Sequence, residues 1–382
     1  MIVVWLFHTL WVNMIFSFKF FIFIVSLICS SVSLSKEEEK VVHVYFWADT
    51  VSEEAIRQFE KETGIKVKCD YYDSEEILET KLLTGSSLYD VVMPSAMPYY
   101  GRQVELHLYR SLDRSKLSNW KNLDPHILKL LQTIDPGNRY GIPYSWGTTG
   151  FVYDANVLKK YVPKNTSLDT YQIILDESFI KPLSQCGVGL LDQPQDLFEA
   201  FLSYLKIKPN YKDLSQIEVI KKVVEKVRPY IRFFTSNSEK MTTSVISGEA
   251  CFVQMWSGEA FRTKKLGEKL KKEIVYVVPR EHAGAWCDLM AIPKNAPHPN
   301  NAHLFINFML RPDIAAKNLE STLMTIANIH ARELVSEDLR KSDIVFPPKK
   351  VLENLKLSEN LPLNYERKTI RAWAHIKTKQ KR

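Results

Sequence analysis

Short apolar runs alternate with amphipathic stretches along the chain after residue 40. His43 to Trp47 is a mostly apolar run typical of a buried strand, and Glu53 to Glu62 places apolar residues at helical spacing. Gly64 ends that helix, and Ile65 to Tyr71 is a second strand-like run. Because strand, helix and strand follow in order, the pattern predicts a βαβ opening and an open α/β sheet.

The same alternation predicts further elements as far as residue 310. The other apolar segments are Tyr89 to Met93, Tyr140 to Tyr144, Gly187 to Asp192, Ile274 to Val278 and Trp286 to Pro293. The other predicted helices are Ser74 to Leu83, Pro194 to Lys206, Leu214 to Val227 and Asn301 to Leu310. From Pro347 onward we expect helical packing on the second lobe.

The order of these elements indicates two lobes. A polar stretch, Asp113 to Asn138, leads into Tyr140 to Tyr144, which we interpret as a strand that crosses between lobes. Later segments resemble the first lobe again, so the chain is predicted to cross back. We predict lobe one as residues 36–143 plus about 277–330, and lobe two as 144–276 plus about 331–382, a length that suits two domains.

Residues 1–35 have the composition of a signal peptide. They contain no Asp or Glu and a single Lys or Arg, Lys19, which precedes the apolar run Phe20 to Ile28 and a small-residue exit. Met14 stands just before this pattern and is a candidate translation start. Because Lys19 and serines interrupt the apolar stretch, we expect cleavage rather than a retained membrane anchor.

The net charge of +7 is concentrated at the C-terminus. Outside residues 1–35, which contain only Lys19, the chain has 50 basic and 44 acidic residues and a net charge of +6. Seven of the basic residues lie in a C-terminal tail that has no acids, so the part between residue 36 and this tail has a net charge of −1. The seven are Arg367, Lys368, Arg371, Lys377, Lys379, Lys381 and Arg382. Nucleic-acid binders carry basic residues on a folded face with aromatics among them, so we expect a solvated tail and no nucleic-acid partner.

Sequence motifs of the common enzyme classes are absent. The chain has no GxxxxGK[ST], HExxH or GxSxG, and its nine His show no metal-ligand spacing. Gly147 to Gly150 is a lone GxxG, which we interpret as a turn rather than a phosphate loop. We therefore expect a protein that is not an enzyme and that has no cofactor or metal.

Tryptophans and acids follow the predicted strands, at the sheet edge where α/β proteins bind ligands. Residues at such positions are Trp47, Asp49, Ser95 and Asp288. Three Trp–acid pairs recur, namely Trp47 with Asp49, Trp256 with Glu259, and Trp286 with Asp288. Each pair alone fits a core or rim tryptophan beside a solvated acid, but together they predict a binding site.

A carboxylate beside an indole suits a ligand that carries ammonium groups. A buried charge is tolerated only when it is paired, and an ammonium over a tryptophan face gains about 0.5 to 2 kcal/mol. A polyamine has an ammonium at each end and methylenes between, so it needs acids at both ends and aromatic walls between them. The residue types therefore favour an amine-binding site.

Several longer segments resemble one protein family. They are YFWADT (45–50), FEKETGIKV (59–67), DVVMPSA (90–96), IPYSWGTTG (142–150), RPYIRFF (228–234), MWSGEAF (255–261), WCDLMAIP (286–293) and NFMLRPDIAA (307–316). From about residue 41 the chain resembles the periplasmic polyamine-binding proteins of bacterial ABC transporters, most closely the putrescine-binding branch. The resemblance implies a two-lobed type II periplasmic solute-binding protein fold, α/β in class, whose hinged lobes close on a ligand in the interlobe cleft. It also implies a periplasmic monomer with a small polyamine ligand and an ABC-transporter permease as membrane partner.

Carried over by position, the resemblance implies eight ligand-binding residues. They are Trp47, Asp49, Ser95, Asp196, Trp256, Glu259, Trp286 and Asp288. Asp196 and Glu259 differ from the family's acids by one methylene. Ala48, Thr50 and Met324 replace a serine and two tyrosines of the putrescine branch, so the resemblance leaves open which polyamine is preferred.

Four cysteines lie outside residues 1–35, and none forms a CxxC pair. They are Cys69, Cys186, Cys251 and Cys287. An exported protein permits disulfides, and four cysteines allow three complete pairings. The resemblance implies a disulfide between Cys186 and Cys251, with Cys69 and Cys287 as additional cysteines.

Two other functions stay open at this point. A secreted enzyme could use paired acids such as Asp49 and Asp288 for acid–base chemistry. A binding protein or sensor adaptor for another small cationic solute would have the same fold. Turnover assays distinguish the first, and titration with a panel of amines distinguishes the second.

Overall fold

The structure is a computed structural model that describes residues 38–85 and 88–378. The predicted signal peptide, residues 1–35, and the candidate start at Met14 lie outside the described residues. Within the described part, no helix is long and apolar enough to cross a membrane.

Eleven strands among the described residues form one mixed sheet. They are β1 (Val41–Trp47), β2 (Lys66–Tyr72), β3 (Val91–Val92), β4 (Gly141–Asp154), β5 (Val188–Leu191), β6 (Phe233–Thr235), β7 (Phe252–Trp256), β8 (Ile274–Val277), β9 (Ala283–Ala291), β10 (Thr325–Ile326) and β11 (Leu355–Leu357). The main path runs β2-β1-β3-β9-β4-β7-β5-β6, while β8 and β10 pair with β4, and β11 pairs with β9. β1 is parallel to β2 and β3, and β5 is parallel to β6 and β7.

Helices cover the sheet. They are α1 (Glu53–Thr63), α2 (Glu75–Leu83), α3 (Gly101–Glu105), α4 (Pro125–Leu131), α5 (Ala155–Leu158), α6 (Gln172–Leu175), α7 (Glu177–Leu183), α8 (Pro194–Tyr204), α9 (Ser215–Val227), α10 (Ser238–Ser247), α11 (Ser257–Lys269), α12 (Pro299–Met309), α13 (Pro312–Thr322), α14 (Glu337–Arg340), α15 (Lys349–Leu352) and α16 (Leu363–Thr378). Short 3₁₀ turns occupy Arg114–Lys116, Ser118–Asn122, Arg228–Tyr230 and Ala331–Leu334.

Strand β4 connects two halves of the sheet. Its first residues pair with β9 and its last ones with β7 and β8, all antiparallel. All fourteen residues of β4 are buried, because both faces and both edges of this central strand are covered. We call the half with β2, β1, β3 and β9 lobe one and the half with β7, β5 and β6 lobe two. The residue boundaries of the lobes stay a prediction.

The prediction of a turn at Gly147 to Gly150 is wrong, because β4 continues through it to Asp154. A side chain at Gly147 would collide with Ser257 and Trp286, and one at Gly150 would collide with Val277 and Tyr276. These glycines therefore allow neighbouring groups to approach the strand closely. They explain why the crossing strand is longer than Tyr140 to Tyr144.

Helix α1 shows how local sequence sets an element. The Ser52 hydroxyl accepts a hydrogen bond from the Ala55 N–H at 3.1 Å, so it caps the helix start. Gly64 adopts φ +70° at the other end, a left-handed conformation that favours glycine. Phe59 is fully buried and its ring packs edge-on against Phe305 and Phe308. The helix thereby attaches to the core of lobe one.

The C-terminal segment contacts both lobes. β11 pairs in parallel with β9 of lobe one, whereas Trp373 of α16 packs edge-on against Phe198 of α8 in lobe two. Trp373 also donates its indole N–H to Asp192 at 2.6 Å. The predicted solvated tail is therefore a packed helix as far as Thr378, although its basic residues Arg367, Lys368 and Arg371 are exposed.

The chain thus crosses between the lobes three times. The first crossing is β4 itself, the second is the connection from β8 to β9, and the third is the connection from β11 to α16. The third crossing follows from the packing of α16 on lobe two.

Candidate ligand-binding site

A cavity of about 360 Å³ lies where the two lobes meet. Trp47 ends β1 and Ser95 follows β3 on the lobe-one side, and Trp256 ends β7 on the lobe-two side. Ligand sites of open α/β sheets lie at such strand ends. The volume is at the lower end of the range of roughly 300 to 1,000 Å³ typical of small-molecule sites.

Asp288 of β9 lies at one end of this cavity and is 9% exposed. Ser95 and Ser145 donate their hydroxyls to its two carboxylate oxygens, at 2.8 and 3.1 Å. Burial raises the pKa of Asp288 to about 6, although these two hydrogen bonds act in the opposite direction. The two serines therefore hold the carboxylate in place, and it forms no salt bridge with any residue that the structure describes.

Glu75, the first residue of α2, lines the same end and is 5% exposed. Its Oε1 accepts the backbone N–H of Ser95 at 2.6 Å. Its Oε2 is buried and has no hydrogen-bond partner among the described residues. Burial raises the pKa of Glu75 to about 8; the Ser95 N–H opposes the rise, and the nearby charge of Asp288 adds to it.

Asp196 and Glu259 line the lobe-two side. Asp196, in the first turn of α8, accepts the Ser358 hydroxyl at 2.9 Å, and Glu259, in the first turn of α11, accepts the Ser238 hydroxyl at 2.9 Å. Burial raises the pKa of both carboxyls, with each serine acting against the rise. A helix N-terminus favours a negative charge, so these positions suit ionised acids once a cation is present.

Three tryptophans form apolar walls between these acids. Trp47, Trp256 and Trp286 all line the cavity and are partly buried. Trp47 packs against Tyr72 with ring centroids 4.5 Å apart, which fixes its orientation. The indole N–H of Trp286 is buried without a partner in the described part of the chain.

Seven of the eight predicted site residues line this one cavity, and Asp49 does not. Asp49 adopts φ +59°, is exposed, and lines a separate groove of about 890 Å³ together with Arg57 and Asp313. The turn after β1 instead presents Ala48 and Thr50 to the cavity. Because Asp49 and Asp288 line different depressions, the structure does not bring together the acid pair considered for an enzyme.

The larger groove is a weaker candidate for the ligand site. Its lining mixes Arg57, Arg262 and Lys317 with acids, and Lys317 is paired with Glu54. Its charges are therefore partly neutralised already. The smaller cavity combines aromatic walls with buried acids, and none of the described residues that line it is Lys, Arg or His.

Several residues that line the cavity were not predicted from the sequence. They are Glu75, Met97, Pro98, Tyr99, Gln193, Ser236 and Ser238. Glu75 follows the cap position Ser74 and reads as an ordinary first-turn acid, so no local signal separated it from the exposed Glu76. The Asp196–Ser358 hydrogen bond joins residues 162 positions apart, which no local pattern indicates.

The three departures from the putrescine branch all lie at the cavity. Ala48, Thr50 and Met324 belong to its lining. The Thr50 hydroxyl donates to the Trp47 carbonyl at 2.8 Å, so its hydrogen is already engaged within the turn. These positions therefore present mainly apolar surface where tyrosines and a serine were expected.

Cys186 and Cys251 form the expected disulfide. Cys69 and Cys287 are not in a disulfide, and burial raises the pKa of both thiols, that of Cys69 to about 11. Such thiols are weakly reactive near neutral pH. Over residues 38–85 and 88–378, no group of three or more His, Cys, Asp or Glu side chains could hold a metal ion.

Sequence comparison defines the class of protein that has this fold and site. The family described as bacterial extracellular solute-binding protein matches residues 54–339, and the chain belongs to this family. The family resemblance, the two-lobed fold and a location in the periplasm are thereby confirmed.

The particular relatives are periplasmic binding proteins rather than enzymes. The chain is 36% identical over 343 residues to the putrescine-binding periplasmic protein SpuD of Pseudomonas aeruginosa, covering 89% of this chain and 93% of that one. It is 34% identical over 356 residues to the putrescine-binding periplasmic protein PotF of Escherichia coli, covering 92% and 95%.

Solved structures agree with the sequence comparison. The spermidine/putrescine ABC transporter substrate-binding protein PotD of Streptococcus pneumoniae superposes with a TM-score of 0.76 at 28% identity, covering 88% of this chain and 98% of that one. The TpPotD lipoprotein of Treponema pallidum gives a TM-score of 0.75 at 22% identity, covering 89% and 100%, which supports the fold alone.

Proposed function

We propose that the protein captures a polyamine, putrescine or a longer relative, in the 360 Å³ cavity and delivers it to the membrane permease of an ABC importer. The observation that carries the proposal is a set of buried or partly buried carboxylates that form no salt bridge with any described residue, set among three tryptophans. Relatives named for putrescine and spermidine binding support the same ligand class.

Charge makes a cation the natural ligand. Glu75, Asp196, Glu259 and Asp288 all have raised pKa values, chiefly because burial disfavours their ionised forms. An ammonium near each carboxylate would stabilise the ionised form and offset this cost. A ligand with cations at both ends satisfies the acids of lobe one and lobe two together.

The apolar walls select for methylenes between the charges. Trp47, Trp256 and Trp286 offer flat faces that contact a flexible alkyl chain and attract ammonium groups at its ends. An amino acid would bring a carboxylate into a cavity that already holds four acids. The proposed ligand-binding residues are Trp47, Ser95, Asp196, Trp256, Glu259, Trp286 and Asp288. Asp49 lines the other groove and could contact the ligand only if the turn after β1 moved on binding.

Isothermal titration tests this function. Protein purified from the periplasm and freed of bound ligand is titrated with putrescine, cadaverine, spermidine and spermine, and with 1,4-butanediol as an uncharged analogue of putrescine. We expect one-to-one binding of at least one amine and none of the diol. If folded, ligand-free protein binds none of the four amines, the polyamine assignment is wrong.

The remaining parts of the proposal have simple tests. We expect bound polyamine to be recovered chemically unchanged, which mass spectrometry checks, because the protein acts as a carrier rather than an enzyme. We expect a monomer in sedimentation and no retention on nucleic acid at physiological salt. Reconstituted transport with the cognate permease tests delivery.

A further inference from the structure

Glu75 is buried at a cost that its structural role does not require. It occupies the first turn of α2, where an acid is favoured, but the neighbouring Glu76 is exposed and supplies such a charge without being buried. Glu75 holds the Ser95 N–H with Oε1, and the amide oxygen of a glutamine could accept the same hydrogen bond. Oε2 is buried and has no hydrogen-bond partner in the described part of the chain, and Glu75 is one of the residues that line the cavity.

Asp288 stands beside Glu75 on the other side of Ser95. The Ser95 hydroxyl donates to Asp288, while the Ser95 N–H donates to Glu75. Both carboxylates therefore contact one residue and line one end of one cavity. Two like charges held this close repel each other, and such pairs commonly share a proton.

We propose that Glu75 is a ligand-contacting residue that forms, with Asp288, a two-carboxylate site for one cationic end of the ligand. This inference rests on the proposed polyamine-binding function and adds a carboxylate that the sequence resemblance does not assign. The ligand's cationic end donates N–H groups to Oε2 of Glu75 and to Asp288. In the empty site Glu75 carries a proton, and that proton passes to the solvent when the cation enters.

The other titratable groups around Glu75 leave this assignment intact. Asp288 and Glu76 are the acids that act on Glu75. Tyr72, Tyr99 and Tyr109 also face it, and burial raises the pKa of each phenol above the ordinary value, so they stay neutral near pH 7. Between pH 6.5 and 7.5 the protonation change therefore falls mainly on Glu75.

Titration calorimetry in two buffers of different ionisation enthalpy measures proton release directly. At pH 7 we expect the wild-type protein to release close to one proton per putrescine bound, since Glu75 with a pKa of about 8 is mostly protonated beforehand. The affinity should then rise roughly fivefold or more from pH 6.5 to 7.5. Spermidine serves as a second probe.

The Glu75→Gln variant keeps the Ser95 contact and removes the charge. We expect its proton release to fall below about a third of the wild-type value and its affinity to change less than about twofold from pH 6.5 to 7.5. At pH 8.5 its affinity should be at least about tenfold below wild type. Asp73→Asn, an exposed acid two residues away, is the matched control and should behave as wild type.

The outcomes separate this inference from the function it rests on. If wild type binds putrescine or spermidine but releases no proton, or if Glu75→Gln equals wild type in affinity and proton release, Glu75 does not contact the ligand and the polyamine function stands. If wild type binds none of putrescine, cadaverine, spermidine and spermine, both proposals are wrong. Should Glu75→Gln fail to fold, the wild-type proton count and Glu75→Asp, which keeps the carboxylate, decide the question.

Discussion

The two ends of the cavity hold their acids in different ways. At the lobe-one end, Glu75 and Asp288 flank a single residue, Ser95. At the lobe-two end, Asp196 and Glu259 each have a serine of their own, Ser358 and Ser238. Two acids crowded around one residue interact through their charges, whereas acids held by different serines are more independent of each other.

This difference suggests a division of work between the ends. Asp288 lies on strand β9 and Glu75 at the start of α2, and these two acids gain most from a cation, because it offsets both the cost of their burial and their mutual repulsion. The lobe-two acids lie at helix starts and depend on hydroxyls supplied by other segments. We expect the first end to set the overall affinity and the second to respond to ligand length.

The largest effect is expected for Asp288→Asn. The change leaves the ligand's ammonium without its carboxylate in a buried site, so putrescine affinity should fall by about 2 to 5 kcal/mol. Titration calorimetry measures it, with Asp73→Asn as control. An affinity within about 0.5 kcal/mol of wild type would mean that the lobe-one end is not the principal anchor.

The same substitution should stabilise the empty protein at neutral pH. The pKa of Asp288 rises from 3.8 to about 6 on folding, so the folded state binds more protons and loses stability as pH rises from 3.8 to 6. About two pKa units correspond to about 3 kcal/mol. We expect ligand-free Asp288→Asn to exceed wild type by about 2 to 3 kcal/mol at pH 7 and to match it near pH 3.5.

Urea unfolding of ligand-free protein at both pH values checks this prediction. A variant that is less stable than wild type at pH 7 would show that Ser95 and Ser145 compensate the buried charge fully. Burial of the Asp288 charge would then not destabilise the ligand-free protein, and the lobe-one end would not differ from the lobe-two end in this respect.

The Ser358→Ala substitution tests the lobe-two end of the cavity. Removing the hydroxyl leaves the partly buried Asp196 without its hydrogen bond, so affinity for spermidine should fall by about 1 to 2 kcal/mol. Ser321→Ala, an exposed serine, is the control. Equal losses for putrescine and spermidine would contradict a length-sensing role for the lobe-two end.

Trp47→Leu tests the wall between the ends. The substitution keeps an apolar side chain but removes the indole face, so affinity should fall by about 0.5 to 2 kcal/mol for every amine that binds. Calorimetry measures the change. A loss confined to one amine would mean that Trp47 belongs to one end rather than to the shared wall.

The smallest effect is expected for Asp49→Asn. Asp49 is exposed and lines the neighbouring groove, so affinity should stay within about 0.5 kcal/mol of wild type. Calorimetry again decides. A loss above about 2 kcal/mol would show that ligand binding moves the turn after β1 and brings Asp49 to the ligand.

Much of the fold can be predicted from short stretches of sequence, because the periodicity and the end residues of a helix or strand lie within the element itself. β1, α1 and β2 have clear periodicity and a serine cap and glycine stop between them, and the structure reproduces them within about two residues. The length of β4 could not be predicted, since the reason for Gly147 and Gly150 is the close approach of distant side chains.

For a similar reason, only some residues of the site could be predicted from the sequence. Tryptophans and acids at strand ends are visible in sequence, so Trp47, Ser95 and Asp288 were found. Glu75 was missed because only the fold shows that its carboxylate points inward while that of Glu76 stays exposed. Asp49 was placed by position alone, and its left-handed backbone conformation is a property of the folded turn.

The three chain crossings have a mechanical consequence. A pair of lobes joined by one peptide segment could swivel in any direction, but connections side by side restrict the motion to bending about the line that joins them. We therefore expect β4, the β8–β9 connection and the β11–α16 connection to act together as a hinge with one principal axis. Opening would then separate the Asp288 and Asp196 ends while leaving each set of serines with its own acids, except at Ser358, which belongs to the hinge itself.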